Sequence, residues 1–278
     1  MDQPQDMDGT LANGRKVSLF CLFAKGERPD FPALRRFAKR QGMVAVVHMP
    51  GGDAPASELA KGSGEEDNVA TTVAERGSPV TVQLVRTGLS FDLAGLSPGS
   101  VMEFPQPAFR FDCDALPRTD TFEALELSPG RHIAGGARSI PVVKGLMATA
   151  RDLAEHFPAL DMLVWPASTS AIGRRYFESV ISAWLETGAF PGLGLTAFRT
   201  TSSGDLESVG LDFWLQRELR LVRDLARDPV AATRLGVRLV NQLILAGDVQ
   251  DGERFAAPDG RMLTLRLSPQ EPVILAGG

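Results

Sequence analysis

The feature that most constrains this chain is a pattern that occurs twice. Val17 to Met49 reads as strand, short loop, helix, strand, and His132 to Pro166 reads the same way. In the first copy Val17–Phe23 is an apolar run with a β-branched start, the mark of a buried strand. Asp30 then offers an N-cap with Pro32 in the first turn, and Leu34, Phe37 and Ala38 give the helix its apolar face. Met43–Met49 supplies the next strand, and Pro79–Leu93 two more around Thr87-Gly88.

In the second copy Arg131–Gly135 is expected as a strand and Ile140–His156 as a helix. Val143, Leu146, Met147, Ala150, Leu153 and Phe157 recur along it at spacings of three and four. Met162–Trp165 is the following strand. A helix over Ile172–Thr187 carries Tyr176, Phe177, Val180, Ile181, Trp184 and Leu185 on one side. A hairpin of Leu193–Thr200 and Leu206–Leu211 turns at Ser202–Asp205. Strand, helix, strand and hairpin make a split βαβ unit. The expected fold is therefore α+β: two ferredoxin-like strand-helix-strand-hairpin halves, as a duplication would leave them, with C-terminal helices and a small β unit. A single mixed sheet with helices on one face would read similarly.

The boundaries follow from composition. Residues 1–16 are polar and acidic and read as a disordered arm; 17–110 form an N-terminal α/β half; 111–130 form a connector; 131–278 form a C-terminal α/β half. Residues 51–79 shift to Gly, Ser, Ala and acids and read as a mobile loop with a helix at Glu65–Glu75. Asp212 opens a helix expected to run to about Arg227, and Asp228-Pro229 opens another that Gly247 ends. Arg254–Leu275 is the small β unit, with turns at Pro258-Asp259-Gly260 and Ser268-Pro269.

The 278 residues, 44% apolar, suffice for one large core or two small ones. The net charge is −5, and the basic residues Arg35, Arg36, Lys39 and Arg40 read as a solvated helix face, so no nucleic-acid partner is expected. No apolar run reaches membrane-spanning length and the N-terminus has no apolar signal core, so no membrane is expected. Two cysteines, Cys21 and Cys113, suit a reducing compartment, and localisation is expected to be cytoplasmic. With three scattered histidines, His48, His132 and His156, they imply no metal site and no cofactor.

The stretch Gly194–Arg220, with Gly210, Leu211, Phe213 and Glu218, resembles the bacterial family called domain of unknown function 4261. The segment with His132, the helix after it, the strand ending at Trp165, and Gly247 followed by Asp251-Gly252 fit the same layout. The resemblance covers residues 131–255, with Gln216 where the family carries an acid, and it implies a bacterial origin and a fold but no activity.

Candidate chemistry falls in two groups. His132 and Glu218 are the residues suited to acid–base catalysis. Ser168, Thr169 and Ser170 follow a strand end and precede a helix, where hydroxyls and free N–H groups hold anions; Arg174 adds charge there, and Trp165, Arg199 and Arg217 complete a ligand site at the strand ends. His156 suits a helix C-terminus, while Asp248, Asp251 and Asp259 lie in turn-rich sequence. No phosphate loop or nucleophile elbow occurs. The expectation is a non-catalytic interaction or binding protein of the bacterial cytoplasm, its partner another protein or a second copy. The alternative is a small-molecule hydrolase or ligand-binding enzyme with its site near Trp165, Ser168 and Arg199.

Overall fold

The computed structural model describes residues 16–48, 81–257 and 260–278. The fold is α+β, with two sheets. The larger sheet is made of β1 (Leu19–Ala24), β2 (Val44–His48), β3 (Thr81–Arg86), β4 (Leu89–Ala94), β5 (Phe109–Phe111), β6 (Phe122–Pro129), β7 (Leu160–Trp165) and β8 (Ser170–Gly173). Its spatial order is β2-β3-β4-β6-β1-β7-β8-β5, antiparallel except for β5 beside β8.

β1 explains this order. Its side chains are apolar on both faces: Leu19, Cys21 and Phe23 point one way, Phe20 and Leu22 the other, and all five are buried. Such a strand is stable only inside a sheet with a layer on each side. On one face lie α1 (Phe31–Arg40), α2 (Ile140–His156) and α3 (Arg174–Leu185). On the other, Phe104 and Met102 from the irregular segment after β4 cover Phe20, Leu22, Met162 and Val164. Arg28 pins that segment: its guanidinium donates to the carbonyls of Gly95, Gly99 and Ser100 and to the Glu123 carboxylate.

Asp30 caps α1, its carboxylate accepting from the Ala33 amide at 2.8 Å. α2 joins β6 to β7, which run parallel on either side of β1. α3 buries Phe177, Ile181 and Trp184 and packs Tyr176, Val180 and Leu185 against the same core, so its apolar stripe is covered from within.

The smaller sheet has the order β12-β13-β14-β11-β10-β9, from β9 (Ala197–Thr200), β10 (Leu206–Val209), β11 (Glu218–Leu221), β12 (Arg254–Ala256), β13 (Met262–Leu267) and β14 (Val273–Gly277). α4 (Pro229–Ala246) lies on it through Leu235, Leu239 and Leu243. A side chain at Gly236 would meet the Phe198 ring at 2.7 Å, which sets how closely helix and sheet approach. Asp228 accepts from the Val230 and Ala231 amides, and Gly247 ends α4 at φ 75°.

The expected elements recur at β1, α1, β2, the β3–β4 and β9–β10 hairpins, α2, β7, α4 and the C-terminal strands. Four expectations are corrected. Arg131–Gly135 is not a strand but part of a 3₁₀ turn, Arg131–Gly136, since Ile133 is its one large apolar side chain and Gly135-Gly136 follows. The strand before α2 is β6, inside the 111–130 segment expected as a connector; there Leu125 and Leu127 alternate into the core. Asp212 opens one helical turn, Asp212–Leu215, which Gln216 ends at φ 58°, and the alternation of Leu219 and Leu221 makes the next residues β11. The helix expected from Ile172 starts at Arg174, because Ser170–Gly173 pairs with β7 as β8.

The two halves are not repeats. The first hairpin extends the large sheet beside β2, whereas the second founds a separate sheet, so strand order differs between them. The large sheet takes strands from both sides of residue 130, and one core runs from α1 to β14. The expected arm (Lys16 apart), the whole 51–79 segment with its 65–75 helix, and Pro258 and Asp259 lie outside the described residues.

Two outcomes follow from this packing. Trp184→Ala should cost about 3–5 kcal/mol in urea denaturation without changing the oligomeric state, because Trp184 sits among Phe190, Trp214 and α2. Loss of association at unchanged stability would refute the assignment of this stripe to the core. The second concerns His156, whose ring packs on Phe37 and Phe157 at 5.3 and 4.8 Å. Burial, and then Arg40 and Arg36, hold its imidazole below the usual value. The unfolded chain therefore takes up this proton first. The contribution is intact above the unfolded value of about 6.5 and is lost as pH falls toward the lower folded value. His156→Gln should narrow the drop in urea midpoint between neutral and mildly acidic pH; an unchanged drop would refute this.

Candidate functional site

Of the expected ligand residues, Trp165 and Ser168–Ser170 lie where the two sheets meet, and there they contact the protein's own groups. Trp165 ends β7, 1% exposed, with its ring 5.2 Å from that of Phe213. Phe213 continues to Trp214 at 4.9 Å, and Trp214 to Phe190 at 5.0 Å. The indole N–H groups of Trp165 and Trp214 are buried without a hydrogen-bond partner among the described residues, so both rings act as apolar filling. Arg138 closes the cluster, donating to the carbonyls of Asp212 and Phe213 with its guanidinium 5.2 Å over the Phe213 ring.

Ser168 is buried, and its hydroxyl donates to the Gly194 carbonyl at 2.7 Å and lies 2.8 Å from the Ser170 hydroxyl. The Ser170 hydroxyl lies 3.2 Å from the Ser168 carbonyl. Thr169 takes a left-handed backbone, φ 49°, that turns the chain into β8. α3 begins after Gly173 with no side-chain cap, so these hydroxyls do not stand at a helix N-terminus. The expected anion site is not formed: its hydroxyls tie the loop to Gly194 instead.

Glu218 is the centre of this junction. Its carboxylate accepts from the Ser208 hydroxyl and from the amides of Gly210, Leu211 and Asp212, the closest amide contact being 2.7 Å. Gly210 is required at its position: at φ 92°, a side chain there would meet the Ala167 carbonyl and the Ser168 backbone at 2.8 Å. Glu218, Gly210 and Ser168 thus form a chain of contacts from the small sheet to the large one. Burial raises the Glu218 carboxyl above its usual value, with Asp212 adding to the rise, while Ser208 and Gly210 pull the other way. This oxygen pair already holds four donors, so its local role is to satisfy the turn between β10 and β11.

The remaining candidates lie apart. Arg199 pairs with Glu207 at 2.6 Å, and Arg220 holds the other oxygen of that buried carboxylate and Glu271 besides. Arg174 is 3.9 Å from Glu178, one turn along α3. Arg217, half-buried, precedes β11. His132 is exposed on the 3₁₀ turn, its Nε2 2.7 Å from the Ser90 hydroxyl. A Ser–His pair at this distance is the geometry of an activated nucleophile. Here, however, Ser90 is 1% exposed and its oxygen lies under Gly130, where a side chain would meet it at 2.4 Å. The pair fastens the turn to β4.

Three of the depressions on the surface of the described residues bear on function. One of about 520 Å³ behind the large sheet holds Cys113 among Asp112, Asp114 and Asp161. Burial first, and then Asp161 and Asp112, push that thiol up to about 11, so it stays protonated and unreactive at neutral pH. Cys21 is fully buried, its thiol pushed up to about 12. A smaller one of about 260 Å³ lies between Lys16, Asp92 and Arg131. The third is an apolar groove of about 530 Å³ between α4 and the turn Gly192–Leu195, lined by Leu193, Pro229, Val230, Thr233, Arg234 and Val237.

Sequence reasoning missed this groove although the signal was present: α4 carries Val230, Val237 and Leu245 outside the Leu235, Leu239, Leu243 stripe that faces the sheet. No protein-family model, curated protein or solved structure matches the chain. Among the described residues no helix is long and apolar enough to cross a membrane, and no cluster of three His, Cys, Asp or Glu could hold a metal ion.

If Glu218 is the fastener of this junction, Glu218→Ala leaves three amides and a hydroxyl without their acceptor. At about 1–3 kcal/mol for each buried donor left unpaired, partly relieved by water, the loss should be about 2–4 kcal/mol in denaturant unfolding. Unchanged stability would refute this role.

Proposed function

We propose that this chain is a non-catalytic interaction protein of the bacterial cytoplasm, related to domain of unknown function 4261. The observation that carries the reading is the outward surface of α4. Val230 and Leu245 there are 61% and 78% exposed on a helix whose inward stripe already fills the core. Apolar side chains in excess of what the fold buries, lined along one helix beside a groove, are the mark of a surface that meets another protein. The acid–base candidates support the same reading: Glu218 is held by four donors, and His132 by a serine with no path to substrate.

The test is recovery of the full chain at native abundance from a bacterial host, after cross-linking in the cell. A protein partner in fixed ratio is the expected result. Ester or amide hydrolysis by the purified chain that His132→Ala or Glu218→Gln abolishes, with no partner recovered, would overturn the proposal in favour of a hydrolase.

A further inference from the structure

The geometry points to one kind of occupant for the α4 groove: an acidic amphipathic segment of a partner protein, with aliphatic side chains seated between Leu193 and Val237 and a carboxylate on Arg234. This rests on the interaction reading above and specifies its partner.

The groove is preformed. Its far wall, the turn Gly192–Leu195, is locked to α4: the Phe190 amide donates to Asn241 Oδ1 at 2.8 Å, and a side chain at Gly192 would meet Val237 at 3.2 Å. The Tyr176 hydroxyl reaches the Leu193 carbonyl at 3.4 Å from the other side. An occupant therefore finds one wall already in place, and the receptor has mainly the exposed Arg234 side chain to order.

The surface also has a helical period. Val230, Arg234, Val237 and Leu245 follow at intervals of four, three and eight, and so share one side of α4 over about 22 Å. That length suits a helix laid in a groove, anchored through side chains at matching spacing.

Charge decides what sort of segment fits. α4 has two charged side chains, Arg234 and Arg238, and no acid, in a chain of net charge −5. Neither arginine meets a carboxylate among the described residues. Asp228, the nearest acid in sequence, is engaged by the Val230 and Ala231 amides. The Thr233 hydroxyl donates to the Pro229 carbonyl at 2.7 Å, so Arg234 is the charged group the groove offers. A guanidinium on an apolar rim recognises a carboxylate on an apolar ligand. It also repels a second copy of α4, which would bring its own arginines.

The test uses the full chain and two fluorescein-labelled synthetic peptides. Both carry leucines at helical spacing; one has glutamates elsewhere and its twin has lysines. Binding is read by fluorescence anisotropy. The glutamate peptide should bind, more weakly as salt rises, and the twin should not. Val230→Glu and Arg234→Glu, both at exposed positions, should each weaken it about tenfold or more, and Arg234→Glu should shift preference toward the lysine twin. Arg266→Glu, on the far face of the small sheet, should change nothing.

Equal binding of both peptides, or binding of neither, would overturn the inference. So would sedimentation showing self-association that Val230→Glu abolishes, which would make the occupant a second copy. A partner recovered from cells that is insensitive to both α4 variants would end this inference while leaving the interaction reading intact.

Discussion

β1 is apolar on both faces, and most of the large sheet follows from hiding it. A strand of this kind needs hydrogen-bonding neighbours on both edges and an apolar layer above and below. β6 and β7 supply the edges, and α2, which joins them, must cross the sheet on the face where Leu19, Cys21 and Phe23 point. Among the described residues, the opposite face receives no helix. It is covered by a segment too rich in proline to enter a sheet, whose Phe104 and Met102 stand on Phe20 and Leu22. Because that cover is irregular, its carbonyls need donors, and one arginine from the β1–α1 loop, Arg28, provides them. Burying each large side chain of β1 contributes about 1.5–3 kcal/mol, which is ample reason for the chain to build two covers.

The small sheet is joined to this body by a different means. Aromatic rings from Trp165 to Phe190 fill the seam, with the Trp165 and Trp214 N–H groups unpaired among the described residues, while other polar groups inside it find partners: Ser168 the Gly194 carbonyl, Arg138 the Asp212 and Phe213 carbonyls, Glu218 the amides of the β10–β11 turn. A buried carboxylate is costly unless its oxygens are fully engaged, and a buried turn is costly unless its amides are. Each solves the other's problem at Glu218. Glu218, Ser168 and Ser170 are thereby drawn into architecture, whereas Val230 and Leu245 on the outside of α4 face solvent.

The sequence shows β1, α1, the hairpins and α4 plainly, because each is marked by a local signal: an apolar run, an Asp cap with proline behind it, a turn pair, a glycine stop. It does not show β6, whose Phe122-Glu-Ala-Leu-Glu-Leu alternation is short and lies among prolines, nor the place of β8, whose Ser-Ala-Ile-Gly gains its strand from pairing with β7. The apparent repeat fails for the same reason. Its hairpins are locally alike, but one adds to an existing edge and the other founds a new sheet, a choice made by long-range packing. At the junction, Trp165, Ser168 and Ser170 were legible as one group and Glu218 as a separate candidate. What they do was not, because serines and a glutamate that hold a ligand and those that hold a turn are the same residue types at the same positions, and only the partners differ.

α4 shows how such partners can be told apart by what is in surplus. A helix lying on a sheet needs one apolar stripe, and Leu235, Leu239 and Leu243 provide it. Val230 and Leu245 add nothing to that core, and single exposed apolar residues are ordinary on any protein. Their significance comes from alignment. They fall on one line with Val237, that line borders a trough whose other wall is locked by Asn241 and Gly192, and the line's charges are all of one sign in a chain whose net charge has the other. Core formation explains none of these three features, and solubility would favour the opposite of the first. A surface that is apolar, pre-shaped and charged against the rest of its own chain is matched by a partner that is apolar and acidic.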